Sequence, residues 1–361
     1  MARAFYGRQV FKGRGATSNL VGRFEKNAVE IINDGWYEED SPTHLDETVS
    51  PDSARTVITT NDSPDVGFDL SINPYRGCSH ACVYCFARPS HSYLGLSPGL
   101  DFETKLFYKD DAARLLEMEL SKPKYVCKPI ALGINTDGYQ PLEKRLRITR
   151  SILEVLARHR HPVTIVTKSS LVLRDIELLA DLASDRLISV ALSITSLSDD
   201  LKRVLEPRTA SPMARLRVIQ ELARAAIPVG VLVAPVIPAI TDHEMEAILQ
   251  AAHAAGASFA SYVMLRLPHE IKILFRDWLS AHYPDRAKHV MSLINQASGG
   301  KDYDSRFGVR MRGTGPYAEL VRQRFEVASR KLGFSSSEER QRLNTQAFRP
   351  PTTSPQLTLG L

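Results

Sequence analysis

The sequence predicts an α/β fold built as a six-stranded parallel sheet with helical crossovers, and three observations carry that expectation. From residue 67 onward, short β-branched runs alternate with helix-length segments whose apolar residues recur at spacings of three and four. Several runs are almost continuously apolar, which suits parallel strands covered on both faces. The chain has 361 residues, 43% hydrophobic and 24% charged, enough for one large barrel-type domain with additions or for two ordinary domains. Periodicity leaves a closed barrel, a partial barrel and a doubly wound sheet all open. Each of them puts the ligand site at the C-terminal ends of the strands.

Residues 1–66 read as an irregular extension: a basic arm with Arg3, Arg8, Lys12, Arg14 and Arg23, then a Ser/Asp/Thr/Pro-rich stretch that is acidic over 34–52. The core, 67–266, contains strands expected at 67–72, 130–135, 163–167, 187–193, 229–234 and 258–265. Helices are expected at 111–120, 148–159, 174–184, 212–226 and 242–255. Ser211 stands as N-cap before an N1 proline, Thr241 as a cap for the helix from 242, and Gly256 at that helix's end. Residues 267–345 read as a helical C-terminal extension, a lid with a Gly-rich turn at Gly299 and Gly300 and a final helix over 317–331. Residues 346–361 read as a disordered tail.

The longest apolar run, 227–240, contains Pro228, Pro235 and Pro238 and so does not read as a membrane span. The first residues lack the apolar stretch of a signal peptide, so a cytoplasmic protein with no membrane partner is expected. The net charge of +5 leans only weakly toward anionic partners. The basic arm and the arginine-rich stretch 306–331 suit either a phosphate-binding surface for DNA or RNA or ordinary solvated charge. Nothing in the sequence sets the oligomeric state.

Three of the four cysteines fall together as Cys78, Cys82 and Cys85, a CxxxCxxC loop directly after an expected strand. Such soft ligands select zinc, copper(I) or an iron-sulfur cluster. Structural zinc wants a fourth ligand, for which His80, His91 or Cys127 would have to serve. A [4Fe-4S] cluster with three protein ligands, the favoured reading, leaves one iron open.

Residues 73–86, NPYRGCSHACVYCF, resemble the radical S-adenosylmethionine (SAM) superfamily, and the resemblance extends over roughly 73–265. It implies a (βα)6 partial TIM-type barrel and a [4Fe-4S] cluster on Cys78, Cys82 and Cys85, with Tyr84 as the aromatic residue before the last ligand. It also implies SAM at the open iron, cleaved to a 5′-deoxyadenosyl radical that abstracts hydrogen from a substrate, and an electron donor such as flavodoxin or ferredoxin. Carried over residue by residue, Thr136 and Asp137 would meet the SAM amino group and Lys168 its carboxylate. Ser193 and Thr195 would meet the ribose, and the backbone at Pro235 and Val236 the adenine. Arg208 and Arg215 are candidate anion ligands, with an internal Glu206–Arg208 ion pair as the alternative.

Within the superfamily, Thr136-Asp137, Thr167-Lys168-Ser169 and the stretch 206–215 resemble the spore photoproduct lyase-like branch, named for an enzyme that reverses a thymine dimer lesion in DNA. The hydrogen-donor cysteine of that enzyme would fall at Ile134. Cys127 is then the candidate donor, with Tyr139, Tyr262 or Tyr317 as radical relays. The substrate is expected to be a nucleic acid, with a small molecule or protein as the alternative. A non-catalytic, zinc-stabilised nucleic-acid-binding module is the third reading.

Overall fold

The computed structural model describes residues 10–25, 45–335 and 343–351. Its strands in chain order are β1 (Thr48–Pro51), β2 (Ile58–Thr60), β3 (Leu70–Ile72), β4 (Tyr75–Arg76), β5 (Lys105–Tyr108), β6 (Ile130–Leu132), β7 (Val163–Thr167), β8 (Ile188–Ser193), β9 (Val229–Val236) and β10 (Phe259–Met264). The apolar runs become β3, β6, β7, β8, β9 and β10, which lie side by side in that order, each parallel to the last. The order never reverses, so no switch point of a doubly wound sheet exists. The sheet does not close either. Among the described residues, apart from a bridge between Phe259 and Ser335, β10 pairs only with β9, and β2 runs antiparallel on the other edge against β3. The result is a partial barrel.

Helices Ala112–Leu120, Ile148–Arg158, Ile176–Ser184, Pro212–Arg224 and Met245–Ala254 pack on the sheet in one continuous core. The Ser211 hydroxyl accepts from the Ala214 amide at 3.2 Å, as its position before Pro212 predicts. Thr241 does not cap: its hydroxyl turns back to accept from the Ile237 amide at 2.8 Å and closes the turn after β9 instead. Gly256, at φ 101°, ends the preceding helix in a conformation that side chains rarely adopt.

The extension before residue 67 is more ordered than its composition suggests. Besides β2, it supplies β1, which pairs with β5 in a small sheet completed by β4, and Phe11 and Ala16, which are buried against Leu100 and Leu274. Strands of three or four residues are too short for an alternation to be read. The tail from 346 is likewise corrected over its first residues. Phe348 packs its ring 5.2 Å from that of His161, and the Arg349 amide donates to the His159 carbonyl at 2.8 Å. Residues 352–361 lie outside the described residues.

Past β10, helices Ile271–His282 and Ala287–Gln296 form a second core with Cys82, Val83, Tyr84, Leu201 and Leu205, anchored by the buried Trp278. This part of the expected lid is therefore built into the cysteine loop. The following segment does cross the open side of the sheet. The Met311 carbonyl accepts from the Met264 amide of β10 at 2.9 Å, and the Gly308 amide donates to Asp65, in the turn between β2 and β3, at 2.6 Å. No described helix is long and apolar enough to cross a membrane.

Candidate active site

The cysteine loop begins where β4 ends, and Gly77 makes the turn at φ 74°, where a Cβ would lie 2.8 Å from Leu106 Cδ2 and 3.0 Å from the Phe102 carbonyl oxygen. The loop is tied on both sides: Cys78 N donates to Phe102 O at 3.0 Å and Val83 N to Leu205 O at 3.1 Å. Cys78 and Cys82 are buried and Cys85 is half-buried. Burial pushes all three thiols up, Cys82 to about 12, and Cys78 is raised further by Asp137, Cys82 and Cys85. Lys168 opposes that rise at Cys82, and at Cys85 Arg88 opposes it first, with Lys168 adding to the effect. Three thiols thus share one space beside one lysine. Among the described residues no three His, Cys, Asp or Glu side chains converge as tightly as a single metal ion requires.

Behind the loop lies an anchor that sequence reading missed. The fully buried Arg88 donates to Cys82 O at 2.9 Å and to Gly99 O at 2.9 Å, and pairs with the fully buried Glu103 at 2.5 Å. Glu103 also accepts the Ala16 amide at 2.8 Å on the oxygen that Arg88 holds and the Gly15 amide at 3.1 Å on the other. Gly15 lies flat on the cysteine loop, where a Cβ would come within 1.9 Å of the Ala81 carbonyl oxygen. Residues 10–25 of the basic arm are therefore part of the site's wall. An arginine three residues past the last clustered cysteine is a faint signal, and its carboxylate partner gives none.

The facing wall comes from the strand ends. Lys168, just past β7, donates from Nζ to Ser193 Oγ at 2.9 Å and lies 5.8 Å above the Tyr84 ring. Ser193 and Thr195 donate to the Ala234 carbonyl at 3.1 and 2.9 Å, and Thr195 Oγ1 is 3.2 Å from the Tyr84 hydroxyl. Tyr84 also donates to the buried Glu206. Burial would raise the Glu206 carboxyl, but Arg215 and Lys168 outweigh it and hold the group below its ordinary range. The structure therefore brings Tyr84, Lys168, Ser193 and Thr195 together with the thiols. Of Pro235 and Val236, the first is 3.4 Å by its carbonyl from Thr241 Oγ1, and the second accepts the Leu265 amide at 3.0 Å.

Several expectations are corrected here. The ion pair of Glu206 is with Arg215, at 2.5 Å, not with Arg208. Arg215 is fully buried and spends its donors on Glu206, Thr209, Ser193 O and Ala210 O, so it is no anion ligand, while Arg208 pairs with Glu47. Asp137 accepts from Tyr139 N, Thr167 Oγ1 and Lys168 N, each at 2.8 Å, with His80 Nδ1 at 3.3 Å. Burial works to raise its carboxyl, yet His80 and the amides hold it at about 2. Four donors fill a carboxylate, so Asp137 orders the loop ends and has no free edge for an ammonium group. Thr136 is similarly engaged, donating to Tyr75 O at 2.8 Å.

Cys127 and Tyr139 are not brought to the thiols. Cys127 precedes β6, whereas the cysteine loop follows β3, and the two strands are parallel, so about 10 Å of strand separates the ends. Tyr139 is buried with its hydroxyl toward Asp175 and Glu143, in a network where Arg174 pairs with Glu143 at 2.7 Å. Tyr317 donates to Asp242 at 2.7 Å, and Tyr262 lies under Arg312 at 4.1 Å. For the zinc alternative, Cys127 is at the wrong end, His80 Nδ1 faces Asp137 and His91 Nε2 bonds the Lys105 carbonyl at 2.9 Å, and among the described residues no histidine joins the thiols in a tight ligand set. Accordingly, Cys127→Ala is expected to keep full iron and sulfide content and undiminished 5′-deoxyadenosine formation, checked by metal analysis and chromatography. A loss of either would return Cys127 to the site.

Fold and site together define the class: an open parallel α/β barrel whose first crossover carries three clustered thiols, faced by polar side chains at the ends of the later strands. The model of the radical SAM superfamily matches residues 72–252, and the chain belongs to that superfamily and is an enzyme of the radical SAM class. An uncharacterized protein of Mycobacterium tuberculosis is 39% identical over 231 residues, covering 63% of this chain and 68% of that protein. One from Methanocaldococcus jannaschii is 28% identical over 219 residues, covering 61% and 78%. Among solved structures, a spore photoproduct lyase mutant with bound AdoMet and dinucleoside spore photoproduct is similar at a TM-score of 0.55 and 15% identity, over 79% of this chain and 80% of that one. The lyase complexed with dinucleoside spore photoproduct gives 0.54 and 16%, over the same shares of the two chains. At such identities the likeness is one of fold.

Proposed function

We propose that Cys78, Cys82 and Cys85 hold a [4Fe-4S] cluster, that SAM binds between it and the wall of Lys168, Ser193 and Thr195, and that the substrate is a nucleic acid. The observation that carries this reading is the meeting of three thiols in one buried space with Lys168 held over Tyr84. The donor set fits the group. Three soft ligands are available, and thiolates are the form in which they would bind a cationic cluster. When bound, the cluster supplies the electron that cleaves a carbon–sulfur bond of SAM.

The chain's own residues do the rest. Lys168 Nζ presents a cation for the SAM carboxylate, steadied by Ser193 Oγ. Ser193 and Thr195, whose protons go to the Ala234 carbonyl, would accept from the ribose hydroxyls, and Tyr84 with the Glu206–Arg215 pair fixes that wall from behind. Burial of the loop between the arm and the second core excludes water, which guards a radical against side reactions. With Ile134 in place of a donor cysteine and Cys127 at the far end of β6, the outcome differs from that of the lyase. The nucleic-acid reading draws support from the dinucleoside ligand of the similar lyase structures and from the arginine-bearing segment across the sheet opening.

The test is anaerobic reconstitution with iron and sulfide, followed by reduction with SAM present and measurement of 5′-deoxyadenosine, alone and with single-stranded DNA, duplex DNA or RNA. Formation that rises with a nucleic acid is expected. No 5′-deoxyadenosine from a protein with a full cluster would overturn the reading, and formation indifferent to every nucleic acid would overturn the substrate class.

A further inference from the structure

The rim of the site carries a cation with no counter-ion among the described residues. Arg266 lies just past β10, half-buried, with its Cζ 4.9 Å from the centroid of the Phe86 ring. Its Nη1 reaches only the Met311 sulfur at 3.1 Å, and its Nε is buried without a hydrogen-bond partner. Among the described residues no carboxylate pairs with it. Asp65 feels its charge, but Asp65 is already engaged by the Gly308 amide at 2.6 Å and by Arg310. Elsewhere in the fold, buried and half-buried guanidinium groups behave differently: Arg14, Arg174, Arg310 and Arg324 each hold a carboxylate. A charge withdrawn from water without a partner is costly, and an anion brought by a ligand removes that cost.

Phe86 is the second, independent observation. It directly follows the ligand Cys85 yet is 38% exposed, an aromatic face left open beside the thiols. The segment across the sheet opening repeats the pairing: Arg310 lies 4.6 Å from the ring of Phe307, which is 58% exposed, and Arg312 covers Tyr262 while holding no carboxylate among the described residues. Single strands are bound by this combination, aromatic faces that stack bases and guanidinium groups that take phosphates. A flat apolar ring beside an unpaired guanidinium suits neither a wholly apolar nor a wholly ionic ligand.

We infer that Phe86 and Arg266 form the substrate-entry step of the site, with the ring stacking an unpaired base and the guanidinium binding the adjoining phosphate of a nucleic-acid strand. This rests on the nucleic-acid reading above. The test uses the reconstituted holoenzyme and short fluorescein-labelled single strands of DNA and of RNA, titrated by anisotropy across a salt series. Arg266→Gln is expected to weaken binding and to lower the slope of log affinity against log salt by about 0.7, the loss of one phosphate contact. Arg266→Lys keeps the slope. Phe86→Ala weakens binding about tenfold with the slope unchanged, since stacking carries no counter-ion release. Iron content of each variant checks that the loop still forms. Wild-type affinity and slope in Arg266→Gln would overturn this inference and leave the nucleic-acid reading standing. Failure of the wild-type enzyme to bind either strand at low salt would overturn both, and a preference for one strand identifies the source of the phosphate.

Discussion

Cys82→Ala is expected to lose the iron-sulfur cluster and to reduce 5′-deoxyadenosine to the background of protein-free controls. Cys82 is the middle of the three proposed ligands and is buried in the second core with Tyr84 and Leu205, which shields its place from solvent. His80, the nearest alternative in sequence, is committed to Asp137. Two thiols cannot hold a cluster firmly. The structural cost of the change is small, roughly 1 kcal/mol for trimming one sulfur, so circular dichroism should show the fold intact while visible absorbance and iron disappear. Full iron content in the variant would show that the ligand set assigned here is wrong.

Arg88→Met is expected to destabilise the protein by about 3–5 kcal/mol, the usual penalty when one partner of a buried ion pair is removed. The fully buried Glu103 would keep the Gly15 and Ala16 amides but lose its cation, and Cys82 O and Gly99 O would lose their donor. Denaturant unfolding measures the loss. Adding Glu103→Gln should recover part of it, because the stranded charge is then gone. A single variant as stable as the wild type would mean that the arm and the cysteine loop are anchored by something other than this pair.

Much of the site was legible because its signals are local. The thiol spacing, the aromatic residue at Tyr84 and the rim residues Lys168, Ser193 and Thr195 each sit next to a run that reads as strand, and a parallel strand delivers its C-terminal end to one place. Arg88 and Glu103 were illegible because neither lies in a pattern. Each is explained only by the other, and by Gly15 in a segment whose composition suggests no structure. Asp137 was found but given the wrong task, since a position beside the site does not say how many protein donors already fill a carboxylate.

The sequence by itself determined the alternation of strands and helices, the cysteine loop and the superfamily, all of them written in spacings of a few residues. Tertiary structure alone decided which groups meet. It put Cys127 at the far end of β6, gave Glu206 to Arg215, folded residues 10–25 onto the loop and left Arg266 without a carboxylate among the described residues. The physical reason is that periodicity reports which face of an element is buried. Strand direction, strand order and the matching of buried charges arise from contacts between residues far apart in the chain, and no local spacing encodes them.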